Sequence, residues 1–205
     1  LFKKINLEIK KKDKVGIIGE TGIGKSSLIN IICGLFDDYD GSILFSGKKL
    51  NQINLNEYQS YFSYVPQQVY LLDDTILNNI IFSSSQNEID YDKIKKIINI
   101  VELESTINSL PDKLNTFVGE GGSTLSGGQV QRIGLARALY QQKDILILDE
   151  STSALDESTE INILKSLFEY YSDKTIIIIT HRKKPLEYCK RVFQIKNFQL
   201  VEQNK

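Results

Sequence analysis

The sequence of 205 residues is poor in the residue types that build metal and disulfide frameworks. It has two cysteines, Cys33 and Cys189, far apart and without a CxxC spacing, and a single histidine. This cysteine usage is typical of a reducing compartment and provides no zinc site or disulfide framework. Methionine is absent and the chain begins with Leu1, so we expect a piece of a longer polypeptide.

Long apolar runs and a strong net charge are missing as well. No run approaches the roughly 20 apolar residues that a membrane-spanning helix needs, and no signal peptide is recognisable. The formal net charge is −1, with 25% charged residues. Because so nearly neutral a chain offers no general electrostatic attraction for nucleic acid, we expect no nucleic-acid partner.

Short apolar segments alternate with amphipathic segments along the chain. Helical spacing of apolar residues predicts helices at residues 25–35 and 156–171. Apolar or alternating patterns predict strands at residues 5–10, 14–19, 42–47, 61–66, 144–150, 174–180 and 191–196. Strands that alternate with helices predict an α/β fold, with a parallel sheet covered by helices on both faces.

The middle of the chain differs, because residues 75–140 have a helical pattern interrupted by glycines. The chain is long for one simple domain but short for two independent ones, so we predict a single domain over residues 1–205 with this helical segment inserted. Its core lobe would comprise residues 1–72 and 141–205, and a helical subdomain would comprise residues 73–140.

A phosphate-binding loop is predicted at residues 19–27, which read "GETGIGKSS". The segment fits GxxxxGK[ST] and lies between a predicted strand and a predicted helix, as the motif requires. Its backbone N–H groups can surround phosphate oxygens, Lys25 can reach the terminal phosphates, and the Ser26 hydroxyl can bind Mg²⁺. The alternative is a glycine turn before a helix, with an incidental lysine. The predicted nucleotide-binding residues of the loop are Gly19, Thr21, Gly22, Gly24, Lys25, Ser26 and Ser27.

Two acidic residues, Asp149 and Glu150, directly follow an apolar run. The carboxyl ends of parallel strands meet at the ligand crevice of a sheet. We therefore predict that Asp149 holds Mg²⁺ and that Glu150 orients a water molecule attacking the γ-phosphate. The alternative is that both residues only cap the following helix.

The segment "LSGGQ" at residues 125–129, followed by "VQRIGLARAL", resembles the signature motif of the ATP-binding cassette (ABC) family. Other family motifs follow the family order across the whole chain. They are the Walker A loop at 19–27, the Q-loop "YVPQQ" with Gln67, Walker B "ILILDE", the D-loop "SALD" from Ser153 to Asp156, and the H-loop at Thr180 and His181. The run "VGEGG" before the signature resembles exporter-type cassettes, including those that flip lipid-linked saccharides.

The resemblance implies a P-loop NTPase fold with a RecA-like core, a mixed sheet, an inserted helical subdomain and an N-terminal antiparallel β portion. It implies an ATPase that uses ATP and Mg²⁺. The implied catalytic residues are Lys25, Glu150 and His181, and the implied Mg²⁺ ligands are Ser26, Gln67 and Asp149. Gln67 also belongs to the nucleotide-binding set. Signature residues Ser126, Gly127, Gly128 and Gln129 would bind the ATP of a partner subunit, and Ser153 and Asp156 would form the D-loop.

Partners and location are implied in the same way. Two cassettes would pair head-to-tail, and a transmembrane domain of the same transporter would contact residues 69–80 at the cytoplasmic face of a membrane. One alternative is a soluble ABC ATPase that acts on ribosomes or DNA. Another is a regulatory module that binds ATP without turnover, against which Glu150 and His181 argue.

The chain departs from the family pattern at a few positions. The aromatic residue that stacks on adenine would fall before Leu1, so we expect weakened nucleotide affinity. Lys12 stands at a turn where glycine is usual, and Val130 follows the signature where a basic residue is common. The segment "KNFQL" lacks the glycine that usually separates the last two strands.

Overall fold

The computed structural model describes residues 5–82 and 89–203. Its described residues form two compact units. The first takes in the residues up to Ser63, Lys143–Asp149 and the residues from Asp173 onward, and the second takes in Tyr64–Gln142 and Glu150–Ser172. The strands are β1 (Lys14–Ile18), β2 (Leu44–Phe45), β3 (Lys48–Lys49), β4 (Phe62–Val65), β5 (Ile145–Asp149), β6 (Thr175–Ile179), β7 (Arg191–Lys196) and β8 (Gln199–Gln203). The α-helices are α1 (Lys25–Ile32), α2 (Leu55–Gln59), α3 (Ile76–Ile81), α4 (Tyr91–Ile100), α5 (Glu104–Ser109), α6 (Gly127–Gln141) and α7 (Glu157–Tyr170).

The main sheet has six strands in the order β4-β5-β6-β1-β7-β8. Strands β5, β6, β1 and β7 pair in parallel, and β8 returns antiparallel to β7. Strand β6 consists of Thr175 and four consecutive isoleucines, and every one of its residues is buried. β-Branched side chains suit such a strand because a parallel sheet buries both faces. The predicted mixed, mostly parallel sheet is confirmed.

The prediction of a strand at residues 5–10 is wrong. These residues belong to neither of the sheets that the described part of the chain forms. Their side chains do alternate between half-buried and exposed, as the pattern indicates. An alternating pattern sets which side chains face inward, but a strand also needs hydrogen bonds to a neighbouring backbone. Here the Glu8 carbonyl accepts a hydrogen bond from a side chain instead, the Arg191 guanidinium, at 2.8 Å. The segment at 42–47 is also shorter than predicted, since only the β2–β3 hairpin forms.

The second unit contains the helices α3 to α7. On α4 one apolar face is buried, with Ile94, Ile97 and Ile98 all below a tenth exposed. Helix α6 contributes a buried face of its own, including Leu135 and Leu139. The helical pattern predicted for the middle of the chain is confirmed, whereas the division into a core lobe and a helical subdomain stays a prediction. Within 5–82 and 89–203, no helix is both long and apolar enough to cross a bilayer.

Candidate active site

The predicted site residues are divided between the two compact units. In the first unit, β1 ends at Ile18, and a loop leads to Lys25, where α1 begins. Gly24 caps α1 with φ 102°, a left-handed backbone that favours glycine. The first turn of α1 contains no acidic residue. The helix therefore presents the backbone N–H groups of its first turn and the positive end of its dipole to the loop, which suits a phosphate.

Lys25 lies inside this loop and is almost fully buried, with 7% of its surface exposed. Its Nζ donates hydrogen bonds to the carbonyl oxygens of Gly19, at 2.9 Å, and Glu20, at 3.0 Å. A buried ammonium at a helix N-terminus needs such acceptors, because both burial and the helix dipole disfavour its charge. Anionic phosphate oxygens would satisfy the same ammonium.

Ser26 and Asp149 are brought together by the sheet. The Ser26 hydroxyl donates to Asp149 Oδ2 at 3.1 Å, and Asp149 is 3% exposed at the end of β5. The two residues supply a hydroxyl and a carboxylate, the oxygen ligands that Mg²⁺ prefers. One hydroxyl and one carboxylate fit Mg²⁺, which is usually held by one or two protein oxygens together with substrate phosphates and water.

His181 lies on the same edge of the sheet as the phosphate loop. Strands β1 and β6 are neighbours in register, with Ile17 opposite Ile179. The chain leaves β6 through Thr180, whose backbone N–H donates to the Ile17 carbonyl at 3.2 Å. His181 follows at once and is exposed. By this register His181 lies level with Gly19, the first residue after β1 and the start of the phosphate loop.

In the second unit, Gln67 contacts Glu150. The Gln67 amide Nε2 donates to Glu150 Oε2 at 3.0 Å. Glu150 has φ 46°, a left-handed conformation that is uncommon outside glycine and costs roughly 1–3 kcal/mol. Backbone strain of this kind clusters at functional sites.

The signature segment forms a capped helix start in the second unit. The Ser126 hydroxyl accepts from Gln129 N at 3.3 Å, and the Gln129 Oε1 accepts from Ser126 N at 2.8 Å. This reciprocal capping box begins the 15-residue helix α6. Ser126 and Gly127 are exposed, and the first turn has no acidic residue. The start of α6 therefore has features that suit an anion, with Gln129 serving the cap itself, and anion binding there stays a prediction.

The D-loop leads into α7 through Asp156, which caps that helix. Asp156 Oδ1 accepts from the Ser158 hydroxyl at 2.6 Å and from Thr159 N at 3.0 Å. The bond from Ser158, followed by that from Thr159, holds the pKa of the carboxyl well below its usual range. Of the two predicted D-loop residues, Asp156 therefore has a structural role in this unit, as the N-cap of α7.

Sequence reasoning missed two polar residues, one that contacts the D-loop and one that contacts the residue just before it. Gln131, on α6, bonds Ser153 and Ala154, and Glu160, on α7, accepts from the Thr152 hydroxyl at 2.5 Å. Both side chains are buried, with 6% and 2% exposure. Buried polar groups are nearly always hydrogen-bonded. The burial of these two side chains depends on tertiary packing, however, and the sequence shows only a polar residue within each predicted helical segment.

Comparison with known proteins agrees with these features. Residues 2–153 match the family described as ABC transporter. An ATP-dependent lipid A-core flippase of Pseudoalteromonas translucida is 37% identical over 203 residues, which is 98% of this chain and 35% of that protein. The chloroplastic ABC transporter B family member 29 of Arabidopsis thaliana is 36% identical over 201 residues, 98% of this chain and 32% of that protein. A solved bacterial Atm1-family ABC exporter with ATP bound superposes with a TM-score of 0.90 at 30% identity, covering 97% of this chain and 34% of that one.

The chain thus spans about a third of the length of the curated relatives it matches. The superposition confirms the predicted P-loop NTPase fold, and the family match confirms the resemblance carried by the signature and Walker motifs. The chain, with its phosphate loop and the acidic pair at the end of β5, belongs to the ABC transporter family and is the ATP-binding, ATP-hydrolysing domain of that family.

Proposed function

We propose that this domain is the motor of an exporter-type ABC transporter, in which two cassettes pair head-to-tail around ATP. The observation that carries the proposal is the exposed, Ser126-capped start of α6. The chain has one anion-binding helix end at α1 and a second at α6. In a head-to-tail pair, each ATP lies between the phosphate loop of one copy and the signature helix of the other. Both helix ends are then used on the same ligand.

The residues divide the work on ATP. Lys25 and the loop N–H groups bind the phosphates, while Ser26 and Asp149 hold Mg²⁺, with Gln67 as a further proposed ligand. When bound, Mg²⁺ supplies positive charge that offsets the negative charge developing on the phosphates. Glu150 orients the attacking water, and its bond from Gln67 restricts the carboxylate to one orientation. His181 donates to the γ-phosphate.

Hydrolysis opens the pair through the loss of contacts. Lys25, His181 and the opposing Ser126 all bind the γ-phosphate in the paired state, and none of these contacts survives its release. A ligand shifts an equilibrium by the difference in its contacts with the two states. ATP therefore favours the closed pair, whereas ADP favours separated cassettes, and this cycle is what drives translocation.

A transmembrane domain is the proposed partner for residues 69–80 at the cytoplasmic face of a membrane. In this segment the side chains of Tyr70 and Leu72 are 63% and 42% exposed. The backbone beneath them is held, since the Arg137 guanidinium donates to the Tyr70 carbonyl at 3.0 Å. Exposed apolar side chains on a held backbone favour a protein contact. Because the relatives are named as a flippase and an exporter, the exporter is preferred to an ATPase that acts on ribosomes or DNA.

Replacement of the water-orienting carboxylate tests the proposal. In Glu150→Gln we expect ATP turnover to fall by about 10²–10⁴-fold, while ATP binding persists and a dimer forms in the presence of Mg²⁺ and ATP. Turnover is measured by phosphate release, and dimer formation by size-exclusion chromatography with light scattering. Glu104→Gln, at an exposed position on α5, is the matched control and should behave as the parent chain. Parent-like turnover in Glu150→Gln would reject the catalytic role, and a monomer with ATP bound would reject the pairing.

A further inference from the structure

Gln131 joins the signature helix to the D-loop through both ends of its amide. Its Nε2 donates to the Ser153 hydroxyl at 3.2 Å, and its Oε1 accepts from the Ala154 backbone N–H at 2.9 Å. The side chain is 6% exposed, so water does not replace these partners. A buried amide bonded at both ends fixes the two segments relative to each other, because breaking either bond leaves a buried polar group unsatisfied.

The first turn of α6 also packs directly on the D-loop. A Cβ built on Gly128 would lie 3.4 Å from the Ala154 carbonyl oxygen and 3.4 Å from Leu155 Cδ2. One built on Gly127 would lie 3.9 Å from Ala154 Cβ. Residues 154–155 therefore lie so close to the two signature glycines that a side chain at either position would contact them, next to the bonds that Gln131 makes.

The D-loop is held on its other sides as well. Ser153 N donates to the Glu150 carbonyl at 3.1 Å, so the loop begins with a turn that includes Glu150. The buried Thr152 hydroxyl donates to Glu160 on α7. Gln131 thus reaches the part of the chain that starts with the proposed catalytic carboxylate, four residues before Ala154.

From these contacts we infer that Gln131 is a positioning residue that links the two ATP molecules of the pair. The inference rests on the proposed function, in which Ser126 contacts the partner's ATP and Glu150 acts on the cassette's own ATP. Because Gln131 fastens the D-loop to the helix that Ser126 caps, both contacts belong to one packed body. Binding of ATP at the signature is then transmitted to the position of Glu150 through this amide.

The substitution Gln131→Met tests the link, since methionine has a similar length and neither donates nor accepts strongly. We expect kcat to fall about tenfold while the Kd for ATP changes by less than twofold, because the phosphate loop lies in the first unit. We also expect the Ala154 amide hydrogen to exchange at least tenfold faster, because it loses its acceptor. Gln141→Met, in the last turn of the same helix, is the matched control and should leave all three quantities unchanged.

A conservative variant separates positioning from a merely structural role. In Gln131→Glu, the carboxylate can accept both the Ala154 N–H and the Ser153 hydroxyl, so kcat should return to within threefold of the parent value. If Gln131→Met fails to fold, Ser153→Ala removes one of the two bonds and should lower kcat by about threefold with unchanged Kd.

The outcomes are distinguishable from a failure of the proposed function. A kcat for Gln131→Met within twofold of the Gln141→Met control would overturn the inference, whether or not Ala154 exchange rises. So would equal losses in Gln131→Met and Gln131→Glu. Turnover of Glu150→Gln, measured in parallel, tests the catalytic role of Glu150 independently of Gln131. Hydrogen exchange at the Ala154 amide reports the bond to Gln131 whether or not Glu150 proves catalytic.

Discussion

The turn between β7 and β8 predicts that glycine at position 198 gives a more stable protein than alanine at the same position. Lys196 pairs with Gln199, so Asn197 and Phe198 form a two-residue hairpin loop. Their φ angles are 50° and 60°, both in the left-handed region. A loop of this type favours asparagine or glycine at each position, and the missing glycine noted in "KNFQL" falls on Phe198.

The magnitude follows from the backbone conformation. A left-handed residue other than glycine costs roughly 1–2 kcal/mol. Glycine removes that cost but loses about 0.5–1 kcal/mol through the greater freedom of its unfolded chain. The Phe198 ring is 42% exposed, so removing it also loses some burial. Both Phe198→Gly and Phe198→Ala remove the ring, so the free energy lost with its burial cancels when the two variants are compared. We expect the glycine variant to be more stable by about 0.5–1 kcal/mol.

The assay is urea unfolding of both variants, followed by far-UV circular dichroism. A thermal scan should show a difference of roughly 1–4 °C, given about 2–4 °C per kcal/mol for a domain of this size. The same pair of substitutions at Val201, in the middle of β8, is the control; there glycine should be the less stable variant, since it weakens strand interiors. Equal stability of Phe198→Gly and Phe198→Ala, or a more stable alanine variant, would refute the argument from backbone conformation.

Two further predictions concern the H-loop and the cap of α7. His181→Ala should lower kcat by about 10²–10³-fold, the usual loss for one preorganised donor. It should leave the free energy of unfolding unchanged, because the side chain is exposed; parent-like phosphate release would remove His181 from the catalytic set. Since hydrogen bonds to the carboxylate lower the folded pKa of Asp156, its stabilisation is complete above about pH 5 and is lost as the pH falls further. The stability difference between the parent and Asp156→Ala should therefore shrink between about pH 5 and pH 2 in urea unfolding, and a constant difference would contradict the assignment.

Sequence patterns worked best where a structure depends on neighbouring residues. The phosphate loop is set by glycines and a following helix, and the structure has Gly24 and α1 where the motif places them. Lys12, noted for standing where glycine is usual, has φ 69°, so that turn keeps its conformation without glycine. The cap of α7 by Asp156 also follows from local order. In each case the chemistry lies within a few residues of the chain.

Patterns failed or were silent where a partner distant in sequence was needed. Residues 5–10 alternate as a strand would, yet a strand exists only when another backbone accepts its hydrogen bonds. Gln131 carries no local mark of its role, since its partners Ser153 and Ala154 are contacts made only once the second unit is packed.

The sequence by itself determined the family, the order of the motifs and the residue types that handle phosphate, because each motif is a short run whose backbone and side chains act together. Only the tertiary structure decided that β1 lies between β6 and β7, which follow it by well over a hundred residues. It also decided the direct hydrogen bonds from Ser26 to Asp149 and from Gln67 to Glu150. Such pairs depend on how strands and helices pack, and packing free energy is shared among many residues, so no single segment of the sequence encodes it.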